Sequence, residues 1–190
     1  MAAGRKGDPH DKEAFSREAL RYIDHLYRVA LHLAKEPDAA RELVQETYAR
    51  ALGAFVQFEP GTNMKAWLTR ILHNFFLDEH NQRKRWVPLD SGNPDSVSEE
   101  ALEYRQRAAE GPGPEEQFHS KELSAQIRDA LAKIPLEFRS VVVLVDMADL
   151  SYEEAAAVLS CPIGTIRSRL SRGRRYLLKQ LEAYVVTDEE

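Results

Sequence analysis

Apolar side chains recur at three- and four-residue intervals along most of this chain, the mark of helices that each bury one face. Phe15, Ile23, Leu26, Tyr27, Ala30 and Leu33 trace a first stripe, which the "KEPD" break at 35–38 ends. Asp38 is placed to cap the next helix, where Leu43, Val44, Tyr48, Ala51, Leu52 and Phe55 repeat the spacing. Beyond "EPGTN", Met64, Trp67, Leu68, Ile71 and Phe75 share one side of a third helix. These stripes can bury one another as a small bundle over residues 12–86. A second block, 121–186, opens with Leu123, Ile127 and Leu131 on one face, and Ile134-Pro135 interrupts it. Val141–Val145 is a continuous aliphatic run that a buried helix or a lone strand would accommodate. With helical neighbours and no hairpin signal, a helix fits better. The expected fold is all-α, in two small domains.

Between the blocks the periodicity disappears. Residues 87–120 hold four prolines, three glycines and eight acids against two arginines. Such a stretch buries too little apolar surface to offset the entropy of ordering, so it reads as a flexible acidic linker. A short helix near 98–107 is compatible with this. Fully extended at ~3.3 Å per residue, the linker would reach on the order of 100 Å.

Composition removes several function classes. The 190 residues are 43% hydrophobic and 30% charged, within the globular range. No apolar run approaches the ~20 residues of a membrane span, and the first thirty residues lack a signal-peptide core. A cytoplasmic protein without membrane insertion is expected. Cys161 is the only cysteine, which excludes an internal disulfide, and the six histidines show no metal-ligand spacing. "PGTN" at 60–63 is a turn rather than a phosphate loop. Without a nucleophile–base or metal constellation, the expectation is no enzyme, no metal and no cofactor.

Charge distribution changes the picture most. The chain is acidic, at a formal −5, yet residues 163–180 carry six basic side chains and no acid. Just before them, Ser151 and Glu154 form an S-x-x-E capping box that starts a short helix at Tyr152. "SCPIG" turns the chain, and Pro162 suits the beginning of a following helix. That helix sets Ile163, Ile166, Leu170, Leu177 and Leu181 on one stripe and Ser168, Arg172, Arg175 and Lys179 on the other side. The pattern is that of a helix-turn-helix whose second helix enters a major groove, its arginines reaching guanine edges or phosphates. A solvated amphipathic helix is the plainer alternative. The capping box, the proline turn and the clean division of faces favour DNA.

These residues carry a resemblance. "LSYEEAAAVLSCPIGTIRSRLSRGRRYL" (150–177) resembles the region 4 helix-turn-helix of the extracytoplasmic-function (ECF, group IV) sigma factors of the sigma-70 family. "DAARELVQETYARAL" (38–52) and "FEPGTNMKAWLTRILHNFFLDEHNQRKR" (58–85) resemble region 2 of the same family, in the family's order. The resemblance implies a factor that binds core RNA polymerase, through its clamp and flap regions, reads the −10 and −35 elements and assists melting. It also implies control by an anti-sigma factor. By resemblance Glu42, Gln45 and Glu46 belong to the core-binding surface. Thr62, Asn63, Lys65, Arg70, Asn74, Arg83, Lys84 and Arg85 belong to the −10 surface, where a flipped base must be compensated by a protein pocket. Thr165, Arg167, Ser168, Ser171, Arg172 and Arg175 fall on the −35 positions, with Arg174 and Lys179 as further phosphate contacts. Trp67 suits either the core or base stacking. Ser160 stands where the family usually has glycine, which puts the geometry of the turn in question.

Overall fold

The computed structural model describes residues 9–86 and 125–185, with side chains over 11–83 and 125–182. The expected acidic linker and the short helix within it lie outside the described residues. The first module comprises α1 (Pro9–Leu20), α2 (Ile23–Ala34), α3 (Pro37–Gly53), a single 3₁₀ turn (Phe55–Gln57) and α4 (Met64–Trp86). The second comprises α5, described over 125–132, α6 (Leu136–Val142), which runs into a π-helical turn (Val143–Met147), α7 (Tyr152–Leu159) and α8 (Ile163–Val185). Among the described residues every regular element is helical.

Two expectations need correction. The first apolar stripe is carried by two helices, because Arg21 N–H and Tyr22 N–H bond back three residues to Glu18 and Ala19 and close α1. The stripe reads through this break because Ala19 and Leu26, both buried, are seven residues apart and keep the helical phase. Ile23, counted on the stripe, is exposed. Asp38 does not cap α3. Extended Glu36 holds the cap position with no side-chain bond and Pro37 opens the helix, so Asp38 lies within the first turn, where it pairs with Arg41.

Phe15, Phe58 and Trp67 pack edge to face, with centroids 5.4–5.8 Å apart. Trp67 is therefore a packing residue. Tyr48 Oη donates to Ala19 O at 2.9 Å and ties α3 to the end of α1. The aliphatic run is helical: Val141–Leu144 are fully buried where α6 passes into the π-turn.

The two modules are packed against each other. One apolar cluster includes Leu26, Leu33 and Leu72 from the first and Leu131, Val141 and Leu144 from the second. α2 lies beside the π-turn and α4 beside α7. His73 Nε2 and Ser140 Oγ, both buried, are 3.0 Å apart across the boundary. Arg139, 4% exposed, donates to Ala132 O at 2.7 Å and Ile134 O at 3.2 Å, and its Nη1 lies 3.5 Å from Leu33 O at the end of α2.

Candidate nucleic-acid interface

The helix-turn-helix is built by local chemistry. Ser151 Oγ accepts Glu154 N–H at 3.1 Å and Glu154 Oε2 accepts Ser151 N–H at 2.8 Å, the reciprocal capping box that starts α7. Ser160 ends it in the left-handed region, φ 50° and ψ 44°, with its N–H on Ala156 O. This is the conformation glycine adopts without a Cβ penalty. The turn forms with serine, so the family's glycine is a preference here and not a requirement. Thr165 and Ile166 N–H then bond to Pro162 O and open α8.

One side of α8 is buried through Ile166, Leu170 and Gly173. Gly173 completes the stripe that periodicity left incomplete between Leu170 and Leu177. A Cβ there would lie 2.6 Å from Val142 Cγ2 and 3.1 Å from Phe138 O, so glycine sets the approach of α8 to α6. On the other side Arg167, Ser168, Ser171, Arg172, Arg175 and Lys179 are exposed, and Thr165 is half-buried. Ser168 Oγ donates to Thr165 O at 3.0 Å, and Arg167 lies 6.0 Å from the Tyr152 ring. Two arginines are held by their own module. Arg169 pairs with Glu137 at 3.2 Å. Arg174, expected among the phosphate contacts, forks onto Asp146 in the π-turn, and that bond raises its pKa.

The second surface runs from the 59–63 loop along α4. Gly61 takes φ 90°, open to glycine at no cost, and Thr62 Oγ1 donates to Glu59 O at 2.7 Å. Asn63 caps α4: its Oδ1 accepts Ala66 N–H at 3.2 Å. Its Nδ2 donates to Glu154 Oε1 of the other module. Lys65 is half-buried; Arg70 and Asn74, one turn apart, are both exposed. Arg83 is exposed and pairs with Glu79 at 3.1 Å, while the side chains of Lys84 and Arg85 lie outside the described residues. Glu42 and Gln45 are exposed on α3, with Glu46 beside them paired to Arg50 at 2.7 Å.

Partial burial alone would raise the Glu154 carboxyl. The Ser151 amide, Asn63, the Ser151 hydroxyl and Lys65 outweigh it and hold the group below its ordinary value. Sequence reasoning finds the capping box but misses the second partner of Glu154, which is 91 residues distant and has no local signal. Among the described residues no cluster of histidine, cysteine or acidic side chains could hold a metal ion, and no helix is long and apolar enough to cross a membrane.

Fold and faces together define an all-helical, two-module protein of the helix-turn-helix class. Residues 19–86 match Sigma-70 region 2, and residues 124–177 match Sigma-70, region 4. The chain is 37% identical over 173 residues to the ECF RNA polymerase sigma factor SigE of Mycolicibacterium smegmatis, covering 90% of this chain and 63% of that protein. It thus spans under two thirds of that relative's length. It is 35% identical over 160 residues to the ECF RNA polymerase sigma factor EcfG of Rhodopseudomonas palustris, covering 84% of this chain and 81% of that protein. The solved sigma factor RpoE, in complex with the anti-sigma factor NepR from Bartonella quintana, superposes with a TM-score of 0.67 at 30% identity, over 90% of this chain and 98% of that one. The chain belongs to the ECF sigma factors of the sigma-70 family.

Proposed function

We propose that this protein binds core RNA polymerase, directs it to promoters by reading −10 and −35 elements, and assists DNA melting, without catalysing a reaction of its own. The observation that carries this reading is the division of α8. Ile166, Leu170 and Gly173 are buried, while Arg167, Ser168, Ser171, Arg172 and Arg175 all stand exposed on the opposite side. Small side chains between long cationic ones let a helix lie close in a major groove while the guanidinium groups reach bases and phosphates.

The first module supplies the other half. Thr62, Asn63, Lys65, Arg70 and Asn74 form the −10 surface, continued by Arg83, Lys84 and Arg85 onto upstream duplex. Glu42, Gln45 and Glu46 on α3 contact the polymerase clamp, and the second module contacts the flap. An anti-sigma factor restrains the chain in the cytoplasm; the complex of RpoE with NepR supports that assignment.

Reconstitution tests the reading. Purified protein plus core polymerase should initiate at defined promoters where neither does so alone. Failure to bind core, or sequence-specific duplex binding that polymerase leaves unchanged, would mark a stand-alone regulator instead. In the holoenzyme, Asn63→Ala should spare closed-complex binding and impair melting; a permanganate footprint as open as the parent's would remove Asn63 from the −10 surface.

A further inference from the structure

Glu46 differs from its neighbours on the outer side of α3. Glu42 and Gln45 are exposed, whereas Glu46 is half-buried and its Oε1 accepts Arg50 Nε–H at 2.7 Å. The acid stands one turn before the base, the more favourable order along a helix. Such a pair at a surface contributes little by itself, because ordering two long side chains offsets most of the attraction. Here one of the two is ordered already. The guanidinium carbon of Arg50 lies 4.2 Å from the centre of the Phe75 ring, a close cation–π contact, and Phe75 belongs to α4. Phe75 is itself held, half-buried, on the apolar stripe of that helix.

A guanidinium laid against a ring has given up rotamer freedom before it meets Glu46, so their bond has only the glutamate left to order. The carboxylate is thereby turned with Oε1 toward Arg50, and Oε2 remains to accept from a donor outside the helix. A cation that met a loose glutamate would have to immobilise it on arrival. One that meets this carboxylate does not, and binding is tighter by the entropy saved.

We propose that Arg50 is a positioning residue of the polymerase-binding surface: braced on Phe75, it holds the Glu46 carboxylate in the orientation in which a cationic side chain of the polymerase takes it. The proposal rests on the assignment of Glu46 to that surface. Arg50 acts through Glu46 rather than by a polymerase contact of its own. Because Phe75 follows Asn74 on α4, the polymerase-binding helix takes its reference from the helix assigned to the −10 strand.

The test is a double-variant cycle on the full chain, labelled at its N-terminus and titrated with core polymerase by fluorescence anisotropy. Arg50→Ala should weaken the complex about three- to tenfold. Phe75→Leu, which stays apolar but removes the ring face, should weaken it about threefold. Phe75→Tyr keeps the face and should match the parent. In a Glu46→Ala chain neither Arg50→Ala nor Phe75→Leu should weaken binding further, because the group they position is gone. A side chain that merely fastened α3 to α4 would cost the same in both backgrounds, so the cycle separates positioning from packing.

Equal losses in the two backgrounds overturn the positioning role. So does an Arg50→Ala chain that binds as the parent does while Glu46→Ala binds weakly. A Glu46→Ala chain that binds polymerase as tightly as the parent is a different failure: it removes Glu46 from the polymerase surface, and the proposal falls with that assignment.

Discussion

Arg174 and Asp146 meet as a two-pronged ion pair, Nε to Oδ2 at 3.0 Å and Nη2 to Oδ1 at 2.6 Å. The π-turn that carries Asp146 widens the backbone at the point where α6 ends, and the pair joins that turn to the middle of α8. Arg174 thereby braces α8 against its own module, while its neighbour Arg175 is exposed. Arg175→Ala should lower the slope of log K against log salt for holoenzyme binding to duplex by about 1. Arg174→Ala should leave that slope unchanged, and so should Asp146→Asn. A salt slope lowered equally by Arg174→Ala would return that residue to the phosphate-contacting set.

Arg172 is exposed at the centre of the outer face. Arg172→Ala should weaken −35-dependent initiation by about 1–3 kcal/mol if the side chain makes a two-pronged base contact, and relax preference at one position only. Initiation rates on a panel of −35 base substitutions measure this. An unchanged profile across the panel would exclude the contact.

The backbone of the helix-turn-helix offers a pair of opposite predictions. Ser160→Gly removes a left-handed Cβ penalty of about 1 kcal/mol and should raise the urea midpoint. Gly173→Ala forces a methyl against stiff Val142 and the Phe138 carbonyl; overpacking of this kind costs about 1–3 kcal/mol, more than the helix propensity gained. It should lower the midpoint and, by tilting α8, reduce duplex binding as well. A neutral Gly173→Ala would mean that the close approach is not maintained in solution.

Acid should loosen the protein through histidines it keeps neutral. Burial lowers His73 to about 4; burial, then Lys65 and Arg28, lower His25 to about 4; burial, then Arg128 and Arg28, lower His32 likewise. An unfolded histidine titrates near 6.5, so between about 6.5 and 4 the unfolded chain binds protons that the folded chain refuses. Stability is therefore level above that window, falls as pH drops through it, and levels off below. For fully buried His73 the loss is on the order of 3 kcal/mol. Urea midpoints from pH 7.5 to 5 should show this, with a shallower slope for His73→Gln. Identical slopes for the two chains would mean that His73 is already protonatable when folded.

The parts of this molecule legible in the sequence are those decided within one helical turn. Ser151 and Glu154 are three residues apart and announce α7; Pro162 and the serine–arginine alternation announce α8 and its outer face. Trp67 is ambiguous in the sequence because Phe15 and Phe58, which complete its three-ring cluster, come from different elements. The end of α1 leaves no mark, since no glycine or proline stands there and the apolar phase continues across it. Least legible are Asn63–Glu154, His73–Ser140 and the approach of Arg139 to Leu33 O. Each joins a polar side chain to a site chosen only by the packing of the two modules. Asn63 and Arg174 share a further lesson: a residue type suited to DNA is equally suited to capping a helix or bracing it.

The apolar cluster that passes unbroken from Leu33 and Leu72 to Leu131 and Leu144 has a thermodynamic meaning. Two modules with separate cores would melt independently, each at its own temperature. A shared core couples them, so the chain should lose its structure in one calorimetric step whose van't Hoff and calorimetric enthalpies agree. Parting the modules divides that step in two, each half smaller and less stable alone. Separated modules are thus more fragile than the packed chain, and any partner that keeps them apart must also supply a surface against which each half remains folded.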